Sequence, residues 1–201
     1  MLGPKQLARF LASLAVIYGL LLVPWPGWKE HYSAWVCGLA RIAFASEHGR
    51  LWARFEPEPA GSGQVLDTRI TLVNREQLAP GGTGPAQFLG LDARGVGWVP
   101  TALLIALIGS TPLPWWRRVR ALAGGLIAIH AFLLLAIGIY VLNHADKDSG
   151  LSVVTFSPFV KTIMSGLEET FIIQMGPGFV VAVLIWILVS FRRDDVFSPG
   201  I

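Results

Sequence analysis

Charge is what this sequence has little of. Only 14% of its 201 residues are Asp, Glu, Lys or Arg, against roughly 25% in a typical soluble domain. The charges it does carry cluster between long apolar runs, a pattern that excludes an ordinary water-soluble globule. Cysteine is nearly absent too. A lone Cys37 excludes an intramolecular disulfide and any CxxC redox or metal motif. Internal repeats and low-complexity tracts are missing as well, which removes solenoids and arrays. A basic pI near 9.4 would suggest nucleic acid in a soluble chain. Here it has a plainer source in the loops, and no nucleic-acid partner is expected.

What is present is apolar sequence, 53% of the chain. Four runs read as transmembrane helices. The first, Leu7 to Val23, is ended by Pro24 and Pro26, which cannot continue a helix. Lys5 and Arg9 ahead of it resemble a signal peptide, but Val23-Pro24-Trp25-Pro26-Gly27-Trp28 is no small-residue cleavage site, so a retained helix is expected. The second, Val96 to Ser110, tolerates Pro100 in its first turn. Its 15 residues rise only about 22 Å against a hydrocarbon core of about 30 Å, so it must extend to Pro112 with Trp98, Trp115 and Trp116 as interfacial anchors. The third, Ala121 to Leu142, has 22 residues and no formal charge. The fourth, Gly178 to Phe191, is too short to cross alone, so it should begin near Thr170 and run through Met175-Gly176-Pro177-Gly178. That predicts a kink or broken first turn at Pro177.

Loop charge sets the orientation. Lys5, Arg9, Arg117, Arg118, Arg120, Arg192 and Arg193, with Asp194 and Asp195, give one side a net +5. Residues 26–95 and 144–169 together hold nine basic and eleven acidic residues, a net −2. The short Trp115-Trp116-Arg117-Arg118-Val119-Arg120 turn is the strongest vote and points to the cytoplasm, placing both termini there. The basic pI is then mostly the positive-inside rule. Three regions follow: residues 1–27, an N-terminal transmembrane helix; 28–95, an extracytoplasmic amphipathic helix and small β region; and 96–201, three transmembrane helices with a loop at 143–169.

In the middle region Trp28, Tyr32, Trp35, Val36, Leu39, Ile42 and Ala43 recur at three- and four-residue spacing, which reads as an amphipathic helix lying on the membrane surface. Arg50–Glu56 and Asp67–Asn74 alternate like strands, joined by a turn-rich connector from Pro57 to Gly63. Because a two-stranded hairpin is marginal alone, a third strand is sought at Gln87–Leu91, beyond the Ala79–Pro85 loop. A short helix is expected from Pro158 to Glu169.

Few residues offer chemistry. His130 is the one ionisable side chain well inside a span, where it is either packed neutral against a helix or an axial ligand to haem or another pigment. A two-histidine haem clamp lacks its second histidine. His144, Asp146 and Asp148, with His31 or His48, have the ligand types for a metal, although such polar loops are mostly solvated. Glu168 and Glu169 suit the N-terminus of the fourth span. Cys37, one turn from Arg41 and with His31 and His144 within possible reach, would be a nucleophile only if a neighbour lowered its pKa; otherwise it is a small packed residue. Ala121, Gly124, Gly125 and Ala128 form a small-residue face for helix packing.

Leu91-Asp-Ala-Arg94-Gly-Val-Gly97-Trp-Val-Pro100, continuing to Pro112-Leu-Pro114-Trp-Trp-Arg-Arg118, resembles the small multi-spanning proteins encoded beside exosortase systems. The resemblance covers about residues 88–125 and implies an accessory protein of a bacterial inner membrane. The sorting enzymes of those systems resemble Cys/Arg/His transpeptidases. Cys37 has no Arg or His at a matching spacing, so no catalytic role is carried over.

The sequence therefore predicts a mainly α membrane protein: four transmembrane helices, an extracytoplasmic amphipathic helix, and a β-hairpin or three-stranded sheet. The expected function is a non-enzymatic accessory or assembly subunit with no cofactor and no metal. Its partners would be the lipid bilayer and a larger membrane protein or a second copy. Trp28, Tyr32, Trp35, Trp52, Phe55, Trp98, Trp115, Trp116, Arg117 and Arg118 are the expected contact residues. Alternatives are an enzyme acting through Cys37 or His144, and a pigment- or haem-associated subunit using His130.

Overall fold

The structure, a computed structural model, describes residues 3–44, 50–58, 66–79, 84–146, 151, 153–174 and 176–191. It is mainly helical, with one small antiparallel sheet. Two compact units are present: residues 1–24, 97–132 and 176–201 form one, and residues 25–96 and 133–175 the other. The Arg192, Arg193, Asp194 and Asp195 cluster and residues His48 and Asp148 lie outside the described residues.

The first unit is built on helices. Helix α1 spans Pro4–Leu22, α3 Val99–Ser110 and α6 Gly176–Ser190, and α4, Trp115–His144, contributes its first half. Leu104, Ile108, Ala121, Ile129, Ala182 and Ile185 close the core between α3, α4 and α6. Small residues let the helices approach. A Cβ on Gly125 would sit 3.2 Å from Ile108 and 3.3 Å from Leu104, and one on Gly109 3.3 Å from Ile17 of α1. The small-residue face of α4 is thus a packing face for α3, as its spacing suggests.

The second and fourth spans are irregular. Helix α3 is only 12 residues, preceded by a π-helical turn at Arg94–Trp98. It is buried on several sides, through Thr101, Ala102, Leu104, Ala106, Leu107 and Ile108. With the π-helical turn the helical segment runs Arg94–Ser110, an apolar helix shorter than a full crossing. The fourth span has the broken start expected at Pro177, with the break placed ahead of Gly176. One helical segment, α5 at Pro158–Glu168 with a π turn at Glu169–Ile173, ends before Gln174, and α6 starts afresh at Gly176. The break falls just ahead of Pro177, whose missing N–H is harmless in a first turn. Two described helices, α1 and α4, are long and apolar enough to cross a membrane, or three if the α5–α6 pair counts as one broken span.

The inner turn expected at Trp115–Arg120 is the start of α4; the connection itself is Thr111–Pro114. Cations at a helix N-terminus oppose its macrodipole, and two of the arginines find compensation on neighbouring helix ends. Arg117 Nη2 donates to the Ser190 carbonyl at the end of α6 (3.3 Å), and Arg118 Nη2 to the Thr111 carbonyl capping α3 (3.1 Å). Those carbonyls lack intrahelical partners and welcome a cation. Arg120 instead lies over the Trp116 ring, 6.0 Å from its centroid.

In the second unit, helix α2 (Trp28–Phe44) packs on a sheet ordered β1 (Leu51–Pro57), β2 (Thr68–Asn74), β3 (Ala86–Leu91). The register pairs Phe55 with Ile70 and Ile70 with Leu89 on the buried face. Tyr32, Val36, Cys37 and Ala40 cover that face. The third strand that a stable sheet needs is therefore present, with the short helix α5 in place as well.

One outward carbonyl on each edge strand is engaged, and the β1–β2 pairing extends one residue beyond each strand end. Glu58 N–H donates to Asp67 O, and Arg75 N–H to Arg50 O. The ladder's alternation then turns the Phe55 carbonyl of β1 outward. The Arg41 guanidinium donates to it through Nε (2.8 Å) and Nη2 (2.5 Å). On β3 the outward Gly90 carbonyl accepts from the Tyr140 hydroxyl at 3.1 Å. Side chains thus occupy hydrogen-bonding groups that an open edge would offer to another strand.

Candidate functional site

Two polar clusters and one exposed apolar stripe stand out in the second unit. The first cluster lies between α2 and the sheet. Asp67, ahead of β2, accepts from the backbone N–H of Ala93 (2.8 Å, Oδ1) and Arg94 (3.0 Å, Oδ2), and from Thr68 Oγ1 at 3.1 Å. These amides follow the end of β3, so the carboxylate fastens that stretch of backbone to the start of β2. Ser33 Oγ donates to the Asp67 carbonyl at 2.7 Å and lies 2.8 Å from Thr68 Oγ1. Burial pushes the Asp67 carboxyl above its ordinary pKa, and the two backbone donors only partly offset that.

Cys37 belongs to this cluster. It is 1% exposed, and burial pushes its thiol above the ordinary value, with Thr68, Ser33 and Arg41 acting in the opposite direction. A nucleophile needs the thiolate. Here the thiol is kept protonated and enclosed, and Arg41, the cation expected to activate it, also donates to Phe55. Ser33, Asp67 and Thr68 are not legible as a group in the sequence, because Ser33 lies 34 and 35 residues from the other two. One local signal existed: an Asp–Thr pair at the head of an alternating run is a common side-chain-to-backbone capping arrangement.

The second cluster joins the end of α4 to α5. Asn143 Nδ2 donates to Glu168 Oε2, and His144 Nδ1 lies 3.8 Å from Glu168 Oε1 and 3.0 Å from the Tyr140 carbonyl. Asp146, 4% exposed, pairs with Lys161 Nζ at 3.2 Å and accepts from Phe156 N–H. The candidate metal-ligand set is not brought together among the described residues. His144 and Asp146 are drawn to different partners, and no three His, Cys, Asp or Glu side chains converge among the described residues. Glu168 does not open the fourth span but closes α5.

His130, in α4, lies with Nδ1 2.7 Å from the Leu126 carbonyl of its own helix. A carbonyl only accepts, so Nδ1 carries the proton.

The apolar stripe is on α2. The face read as one surface-seeking stripe divides in two. Tyr32 and Val36 turn into the sheet, whereas Trp28, Trp35 and Ile42 turn away, and Ile42 is 85% exposed. Seven-residue spacing keeps these three in line along one side of the helix. The other expected contact residues divide likewise. Trp52, Trp115 and Trp116 are exposed, but Tyr32, Phe55 and Trp98 are buried and cannot meet a partner directly. Phe55 lies in the sheet core, and Trp98 Nε1 donates to the Leu21 carbonyl of α1. Phe88, on the sheet face turned from α2, is 68% exposed and was not anticipated. No protein family model matches the chain, and comparison with curated proteins and with solved structures finds no significant match.

Proposed function

We propose that this protein is an accessory or assembly subunit of a bacterial inner-membrane complex, crossing the membrane four times with both termini cytoplasmic. The observation that carries this reading is the double-faced α2. One apolar face is buried on the protein's own sheet, and along the other Trp28, Trp35 and Ile42 keep exposed surface, Ile42 most of all at 85%. Three large apolar side chains aligned on one helix are the mark of a contact surface rather than of chance exposure. Aromatic residues dominate it, as they do at the centres of protein interfaces. The enclosed, protonated Cys37 favours a contact role over outer-surface thiol catalysis.

The orientation rests on the loops. Among the described residues, Lys5, Arg9, Arg117, Arg118 and Arg120 have no acidic residue near them in sequence, the signature of a cytoplasmic side. The partner is a larger membrane protein or a second copy. Purification of the full chain from its native membrane in mild detergent tests the reading. A co-purifying membrane partner, or a stable homo-oligomer, is expected, and Trp35→Glu with Ile42→Glu should release it while far-UV circular dichroism stays unchanged. A lone monomer, or a partner retained by the double variant, overturns the reading.

A further inference from the structure

The first unit contains a cavity that the contact role does not use. It has a volume of about 440 Å³ and lies where the start of α1 meets the end of α3, lined by Gln6, Arg9, Phe10, Ser13, Ser110 and Pro112. Four of these six side chains are polar, which is unusual in a unit whose core is aliphatic. Ser110 Oγ is buried yet has no hydrogen-bond partner, a state that costs free energy unless something else supplies one. Arg9 forms no ion pair among the described residues, and Gln6 uses only its carbonyl oxygen, which accepts from Gly3 N–H at 3.3 Å. Arg118, bonded to the Thr111 carbonyl between the two α3-side lining residues, has a buried Nε that also lacks an acceptor.

Charge selects the ligand. The described residues of this unit include Lys5, Arg9, Arg117, Arg118 and Arg120 and not one Asp or Glu. Among the described residues a cation therefore meets no carboxylate there. An anion finds a guanidinium, a side-chain amide and a hydroxyl around one space, all able to donate. We propose that this cavity binds a phosphate group, taken either from an anionic phospholipid headgroup or from a free phosphate. Arg9 supplies the charge-assisted, fork-shaped contact that suits phosphate oxygens, and Ser110 donates the hydrogen bond it otherwise lacks.

The test uses the full chain in detergent and reads its thermal midpoint against three additions: inorganic phosphate, phosphatidylglycerol in mixed micelles, and zwitterionic phosphatidylcholine. A saturable rise with phosphatidylglycerol but not phosphate identifies a lipid headgroup, and a rise with inorganic phosphate identifies a soluble ligand. Phosphatidylcholine should give the smallest effect. Arg9→Gln should weaken binding by about tenfold or more. Ser110→Ala should weaken it by a smaller factor without lowering the unliganded midpoint, since it removes a hydroxyl that has no partner in the free protein. Arg120→Gln, which removes the same charge outside the cavity lining, should leave binding unchanged. The proposal fails if neither phosphate nor phosphatidylglycerol gives a saturable rise. It also fails if Arg120→Gln weakens binding as much as Arg9→Gln, which would mark diffuse charge attraction rather than a site.

Discussion

At the scale of single residues, Asp67 ties the start of β2 to the backbone just after β3. Its two oxygens hold the Ala93 and Arg94 amides, so Asp67→Ala orphans two donors and should destabilise by about 1–3 kcal/mol for each that water cannot reach. Its pKa is raised in the folded protein, so the folded state binds the proton more tightly than the unfolded chain does. The associated stability is present below the ordinary carboxylate pKa of about 4 and lost as pH rises through the elevated folded value. Asp67→Asn cannot ionise. Its thermal midpoint relative to the parent protein should rise between pH 4 and pH 7, whatever constant offset the lost acceptor imposes. A flat difference would show that the carboxyl titrates normally.

Gly90 makes a second residue-scale case. A Cβ there would come within 2.1 Å of Leu66 Cδ1 and 3.2 Å of its Cγ, so the whole leucine side chain must move. Gly90→Ala should destabilise by about 1–3 kcal/mol, and adding Leu66→Ala should recover part of that loss. Strict additivity in the double variant, measured by denaturant titration, would deny the contact.

At the scale of elements, the sheet is small, and side chains engage an outward carbonyl on each of its edge strands. Arg41→Ala exposes the Phe55 carbonyl and removes two donors. It should lower the thermal midpoint and increase concentration-dependent association in detergent, read by light scattering, whereas Arg41→Lys should restore part of the single-acceptor contact. The elements themselves were legible to different degrees. Helix α4 announced itself as a long uncharged run, and the strands by alternation, with observed ends at Leu51, Thr68 and Ala86 within a residue or two of the expected ones. The division of α2 was not legible. Trp28, Tyr32, Trp35 and Val36 satisfy one helical stripe in sequence, and only a sheet packed against one side shows that the stripe is two. The brevity of α3 was visible, but its meaning depended on neighbours distant in the chain. The polar clusters were the least legible part, since Asp67 meets Ala93 and Asn143 meets Glu168 only after the elements have packed.

At the scale of the whole molecule, the charge distribution predicts a topology that can be checked directly. In a Cys37→Ala background, a cysteine introduced at Thr155 should react with a membrane-impermeant maleimide in intact spheroplasts. One introduced at Lys5 should react only after the membrane is opened. Labelling with the opposite pattern would invert the orientation, and labelling of both sites from outside would remove one crossing.

The two arginines at the head of α4 also carry a consequence for biosynthesis. Arg118 binds a carbonyl seven residues earlier, so its partner has already been made when it leaves the ribosome. Arg117 binds Ser190, 73 residues later, and the Trp186 indole reaches back 75 residues to the Thr111 hydroxyl. The Arg118 bond can form at once; the Arg117–Ser190 bond must wait for α6. Until α6 is made these two long-range bonds cannot form, so the joint between the head of α4 and the end of α3 is completed last, by the C-terminal helix.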